Sequence, residues 1–439
     1  MQQNDHPPLP HPPNAQPITE LPIAPTTWRG YLRFLGPGFA LAATGVGAGD
    51  MIAAAVAGSR YGIAILWAAL VGAALKFALN EGMARWQLGT GSTLIEGWMR
   101  HLGGWFRIVL LVYLLVWSFV VGGALIAACG LAAHAIYPKI SLELWGVLHT
   151  VVACALVWGG GYERFESAMK LLIGLMFCAL LGCAFWLKPP WEVLWLSVRD
   201  IDLPHNGIAL IMGVIGGVGG SVTLLSYNVW MRERRWEGPA WLPAIRADLA
   251  VAYVLTGLFG ASVVVLATWT LYQGGLQVQG NRAVLEMARM LGEILGRVGL
   301  WVFLLGFWAA VASSMLGVWQ SIPCLFCDII ALWKPRPPEE TQAILSTTSP
   351  YYRGYLLWQA FPPLLLLFVQ KPVGLIVLYA VIGALFMPFL AGSLLWMNNH
   401  PRWMPAPLRN RWPSNATLTL CLLLFLWLSF RALRTYFGG

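Results

Sequence analysis

Apolar residues run in stretches of about twenty along nearly the whole chain, divided by short clusters of charge and proline. A stretch of that length crosses ~30 Å of hydrocarbon as a helix. Helices are the form expected, because backbone groups facing lipid must be satisfied within their own segment. The pattern predicts eleven spans, near 36–62 (broken), 63–82, 105–136, 143–160, 164–187, 207–231 (broken), 247–272, 298–330, 355–370, 373–397 and 416–434. Charge and proline gather between them, at Arg100-His101, Lys188-Pro189-Pro190, Arg232 to Arg235, Lys334 to Pro338 and Arg402 to Pro413. Residues 281–296 are polar and helix-favouring, and predict a short amphipathic helix outside the membrane. Residues 1–28, rich in proline and polar groups and without an apolar core after a basic start, predict a disordered tail rather than a signal peptide.

Two of these spans are interrupted by glycine. The first carries Gly45, Gly47 and Gly49, and the sixth carries Gly213, Gly216, Gly217, Gly219 and Gly220. Paired interruptions at corresponding places in two halves point to a transporter's binding site, because unwound backbone offers carbonyls and half-helix ends to a ligand at the membrane midplane. Five spans precede the second break, an odd number, so the two halves enter the membrane in opposite senses. The expected fold is therefore all-α and integral to the membrane: a 5+5 inverted repeat of the LeuT-like kind, with helices 1 and 6 broken and about eleven transmembrane helices. The expected organisation is a cytosolic tail (1–28), a first five-helix repeat (29–200), a second, inverted repeat (201–398), and a loop with an extra C-terminal helix (399–439).

Composition agrees with this reading. Of 439 residues 58% are hydrophobic and 11% charged, against ~25% charged in a soluble globular chain. The formal charge of +9 suits an anionic membrane surface better than a nucleic acid, for which no motif is present. Lysines and arginines favour the side that holds the N-terminus, so the positive-inside rule predicts a cytoplasmic N-terminus, with the chain in the plasma (inner) membrane. The seven cysteines fall in or beside spans, where thiols act as small apolar groups. Cys324 and Cys327 form a lone CxxC with no second pair, weak support for zinc or redox chemistry. No nucleophile–base pair or phosphate loop appears, so neither catalysis nor a cofactor is expected. Lipid and a small solute are the expected partners; monomer and homodimer both remain open.

Three stretches carry a family resemblance. GPGFALAATGVGAGD followed by AGSRYGIAILW resembles the first span and turn of the NRAMP divalent-metal transporters. LLGFWAAVASSMLGVWQ (304–320) resembles their eighth helix, and ALFMPFLAGSLLWM (384–397) their tenth. The resemblance covers roughly residues 29–430 and implies a metal-ion transporter. Two motifs depart from it. The family's Asp-Pro-Gly-Asn falls on Gly47, Ala48, Gly49 and Asp50, which moves the carboxylate three positions. Its Met-Pro-His falls on Val222, Thr223 and Leu224, which removes both thioether and imidazole.

Asp50 is the leading candidate residue, since charge inside hydrocarbon is expensive and usually functional. The bland alternative is a structural cap for a half-helix beginning at Met51. Gly47, Ala48, Gly219, Ser221, Val222, Thr223 and Tyr227 complete the expected substrate site, with Asp50 and Thr223 as metal ligands. Serine and glycine there have the competing reading of close helix packing. Lys170 is set beside Ser313 and Ser314 as a stand-in for a coupling cation, by analogy of fold alone. Its plain alternative is an i,i+4 pair with Glu166. Lys76 is expected to snorkel or to pair with Glu81. An all-oxygen site suits hard divalent ions of the Mg²⁺ or Mn²⁺ type, with H⁺ or Na⁺ as possible coupling ions. The alternative substrate is a small organic solute, an amine or amino acid, whose ammonium would meet Asp50.

Overall fold

The computed structural model describes residues 22–159, 161–201, 208–217, 221–276, 278, 281–369 and 372–437. Residues 1–21 of the expected tail and Gly219 of the expected site lie outside the described residues. Among the described residues every regular element is helical. A short helix, Trp28–Phe34, capped by the Thr27 hydroxyl, leads into the first span. That span is broken into Pro37–Gly45 and Ala48–Tyr61, with proline at the helix start where its missing N–H costs nothing. The sixth is broken likewise, into Ile208–Gly217 and, beyond a short 3₁₀ turn, Ser226–Glu233.

The remaining spans follow the hydropathy pattern closely. Gly104–Ile136, Leu142–Trp158 and Tyr162–Trp186 are spans three to five, and Leu242–Ala267 is span seven. Span eight follows the amphipathic helix after Gly296, whose φ of 72° lies in the left-handed region and so fits glycine at the sharp bend. Pro350–Val369 in three pieces, Pro372–Asn399 and Trp412–Phe437 complete the set.

Span two departs from expectation. It runs from Leu66 to Thr90 and ends only at Gly91, with φ of 69°. The charges at Glu81 and Arg85 do not stop it, because both are satisfied inside the protein. Arg85 lies 2.7 Å from Glu81 and donates to the Leu408 carbonyl and to Asn410, while Arg246 approaches Glu81 at 2.7 Å from span seven.

Span seven packs along span two, span eight along span five, and the last helix along span ten. The two halves of span one are held between spans six, seven and eight, so the break lies in the interior.

Candidate functional site

The first half of span one ends at Gly45. Val46 and Gly47 are extended, and the second half begins at Ala48. Unwinding a helix strands carbonyls at one end and N–H groups at the other, and this chain satisfies them in two ways. Ser313 and Ser314 of span eight donate to the carbonyls of Ala43 and Thr44 at 3.0 and 2.9 Å. On the other side of the break, the Gly47 N–H donates to Oδ2 of Asp50 at 3.0 Å. Asp50 thus occupies the third position of a helix starting at Ala48, rather than the cap of one starting at Met51. Close approach requires glycine at one place here and favours it at a second. A Cβ on Gly317 would fall on the Thr44 side chain, and one on Gly47 would sit 3.0 Å from the Ser314 hydroxyl.

Around the break lies a cavity with about 440 Å³ of empty space, its mouth included. Thr44, Gly45, Gly47, Gly49 and Asp50 line it from span one, Val121, Ala124 and Leu125 from span three, Thr223 from span six, and Ser314 and Val318 from span eight. The Thr223 hydroxyl is buried with no hydrogen-bond partner among the described residues, and so is that of Ser221, which sits at the break in span six outside the cavity lining. A buried hydroxyl without a partner carries a desolvation penalty that a bound ligand would relieve. Among the described residues no three His, Cys, Asp or Glu side chains converge. Polar chemistry in the cavity therefore rests on one carboxylate, hydroxyls and backbone oxygens.

Lys76 behaves differently from expectation. It does not snorkel, and Glu81 is held by Arg85 and Arg246. Its side chain is fully buried, near enough to Asp50 for the two charges to act on one another. The sequence does hold a signal for this. Asp50 and Lys76 are opposite charges deep inside consecutive apolar spans, and buried charges of opposite sign are rarely left apart.

Other expected residues sit elsewhere. Val222 is 1% exposed and packs in the core rather than lining the cavity, a consequence of the 3₁₀ turn at Val222–Leu225 that aims Thr223 inward instead. Tyr227 donates its hydroxyl to Asp248 at 2.9 Å. Asp248 also accepts the Gly36 N–H at 3.2 Å, so it caps span one from span seven. Lys170 is half-exposed with its Nζ 2.7 Å from Glu166, and Ser313 and Ser314 hold the carbonyls described above, so the ammonium and the serines have different partners. Glu166 also receives a bidentate contact from Arg234. Asp328 is buried against Arg232 at 2.8 Å, although its place near a span end suggests a solvated group. His134 and His149 are both satisfied, the latter accepting from the Trp308 indole at 2.8 Å.

The comparisons with known proteins agree with this geometry. The Divalent metal cation transporter MntH of Bacillus subtilis is 21% identical over 416 residues, covering 90% of this chain and 91% of that protein. Metal transporter Nramp3.1 of Populus trichocarpa is 26% identical over 212 residues, 47% of this chain, which spans only 41% of that relative's length. Among solved structures, a variant of the Eremococcus coleocola manganese transporter superposes with a TM-score of 0.77 at 14% identity, covering 96% of this chain and 90% of the other. MhsT in complex with L-phenylalanine matches at 0.51 and 14% identity, covering 90% of this chain and 98% of its own. The fold is LeuT-like, a 5+5 inverted repeat with broken helices 1 and 6. The family model for natural resistance-associated macrophage protein-like chains matches residues 38–435, so this chain, an integral membrane protein, belongs to the Nramp family.

Proposed function

We propose that the chain is a secondary transporter that moves a small cation across the membrane by alternating access, and that the cation is a hard divalent metal ion of the Mg²⁺ or Mn²⁺ type. The observation that carries this is the cavity lining. It offers oxygen donors and apolar walls, with no thioether, thiol or imidazole among the described residues. Oxygen-only sites suit hard cations, and thioethers select soft ones. Asp50 would supply the charge, Thr223 a hydroxyl lacking another partner, and the backbone at the break its carbonyls. A single carboxylate is a thin complement for a divalent ion, which fits an ion that keeps part of its water shell, as Mg²⁺ does. Relatives with metal-transporter names support the substrate class.

The network of Gly36, Asp248, Tyr227, Glu166 and Arg234 ties the start of span one to spans five, six and seven. We read it as the closed cytoplasmic gate of a plasma-membrane (inner-membrane) protein with its N-terminus inside, coupled to H⁺ or Na⁺. Single-cysteine labelling in intact cells checks the orientation: positions in Arg232–Arg235 are expected to react only after permeabilisation, and positions in 188–201 before it. The reverse pattern sinks it.

The position of Asp50 at the cavity favours one second reading. Its carboxylate would also suit the ammonium of an amine or amino acid, with the half-helix start at the break facing any carboxylate. Flux of isotopic Mn²⁺ into liposomes, together with thermal stabilisation by Mg²⁺, Mn²⁺ and a panel of amines and amino acids, separates the two, because a ligand of the folded state raises its apparent stability. Silence toward every divalent ion alongside a response to an amino acid would transfer the function to the organic solute.

A further inference from the structure

An α-helix bonds each N–H to the carbonyl four residues earlier. Continuous winding through the break in span one would therefore pair the Gly47 N–H with the Ala43 carbonyl and the Ala48 N–H with the Thr44 carbonyl. Side chains hold three of those four groups instead. Asp50 Oδ2 accepts the Gly47 N–H at 3.0 Å, Ser313 Oγ donates to the Ala43 carbonyl at 3.0 Å, and Ser314 Oγ donates to the Thr44 carbonyl at 2.9 Å. The Ser313 hydroxyl also reaches the Ala310 carbonyl of its own helix at 3.0 Å, so Ser314 makes the undivided bond. We propose that Ser313 and Ser314 are positioning residues: they occupy the carbonyls that rewinding needs, keep span one broken, and so set the fraction of molecules able to hold the cation. The effect on the cation rests on the reading above; the hold on the break does not.

Local sequence leaves the break to be held from outside. Ala48, the first residue of the second half-helix, keeps an N–H that could bond the Thr44 carbonyl. A proline there would lack that donor and would crowd the same carbonyl, four residues back. Ala48 falls where the Nramp motif carries proline, so in this chain the Thr44 carbonyl needs another guard. Thr44 cannot supply it, because its own hydroxyl donates to the Ala40 carbonyl at 2.6 Å. Span eight can, since it packs tightly at this level: a Cβ on Gly317 would overlap the Thr44 side chain, and one on Gly47 would lie 3.0 Å from the Ser314 hydroxyl. Ser314 lines the cavity but Ser313 does not, so Ser313 acts on a bound ion only through span one. When a fraction of molecules has the break open, apparent affinity falls in proportion to that fraction.

The test uses the purified full-length protein in detergent. Ser313→Ala with Ser314→Ala is expected to slow amide hydrogen exchange over residues 44–50. Rewinding gives helical acceptors to the first N–H groups of the half-helix, which a helix start leaves without them; a role in packing alone predicts faster exchange. Calorimetry with MnCl₂ is expected to show binding about tenfold weaker. Ser314→Ala by itself should move both readings the same way by less, and serves if the double variant does not fold. Adding Ala48→Pro should restore both, since Gly47, already extended, meets the restriction that proline places on its predecessor. Unchanged or faster exchange in the serine variants overturns the proposal. So does unchanged Mn²⁺ binding when the unmodified protein binds Mn²⁺, or weak binding that a folded proline variant leaves unrepaired; each leaves the cation reading standing. An unmodified protein that ignores Mn²⁺ and Mg²⁺ alike removes the cation reading, and exchange then decides alone whether the serines hold the break.

Discussion

Replacing Asp50 by asparagine separates its charge from its hydrogen bond. The amide oxygen of asparagine can still accept from the Gly47 N–H, so that bond is kept while the carboxylate charge goes. What remains is Lys76, 0% exposed, without the carboxylate charge that acts on it. Stranding one member of a buried pair costs about 3–5 kcal/mol. For 439 residues at ~2.1 cal/mol/K per residue, the unfolding entropy is about 0.9 kcal/mol/K, so the midpoint should fall by about 3–5 °C. Lys76→Met should cost a similar amount by stranding Asp50. The double variant, Asp50→Asn with Lys76→Met, should recover most of both losses, because methionine fills the space of the lysine stem and neither position is then charged. Melting of all four proteins in detergent with a chelator present completes the cycle. The expected coupling is several kcal/mol, far outside the ~0.5 kcal/mol by which independent sites depart from additivity. Additive losses would refute the pairing of Asp50 with Lys76, and with it the case that the two act as one unit at the cavity.

Thr223→Met should bring a thioether into the cavity and improve Cd²⁺ binding relative to Mg²⁺, whereas Val222→Met, buried away from the cavity, should not. Calorimetry on the two variants decides, and the opposite order would return the family-like ligand position to Val222. Gly317→Ala drives a methyl group into Thr44 and should cost about 1–3 kcal/mol while loosening the Ser313 and Ser314 bonds. A protein with unaltered melting and unaltered Mn²⁺ uptake would show that spans one and eight need not touch there. Outside the spans, burial, with the charges of Arg100 and His400 nearby, pushes His101 down to about 4 from the usual 6.5. The unfolded chain then binds the extra proton first. Stability from this histidine is complete above about 6.5 and is lost as the pH falls toward 4. The melting temperature should decline over that window, and His101→Gln should flatten the decline; an equal decline in both proteins would assign it to other groups.

Much of this molecule is legible along the chain because lipid imposes a one-dimensional rule. A span must be apolar for about twenty residues whatever surrounds it, so the eleven segments, the two glycine breaks and the amphipathic helix before Gly296 can be read from hydropathy and composition. The presence of Asp50 at a break was readable for the same reason, since charge stands out against an apolar background. Partnership was not. Lys76 feels the charge of Asp50, Asp248 reaches Gly36 and Tyr227, and Arg246 reaches Glu81 across separations that only helix packing closes. Local rules therefore favoured the neighbour within one turn. They were right for Lys170 with Glu166, although Arg234 shares that carboxylate from the end of span six. They failed for Lys76, because a fully buried ammonium takes whichever counter-charge the tertiary structure brings to it. The choice between Val222 and Thr223 was equally out of reach, since one residue of phase in a 3₁₀ turn decides which side chain faces the cavity. Sequence by itself determined where the chain crosses the membrane and where it breaks. Tertiary structure decided which groups face one another, because hydrophobicity acts on each segment alone and pairing depends on the packing of all of them.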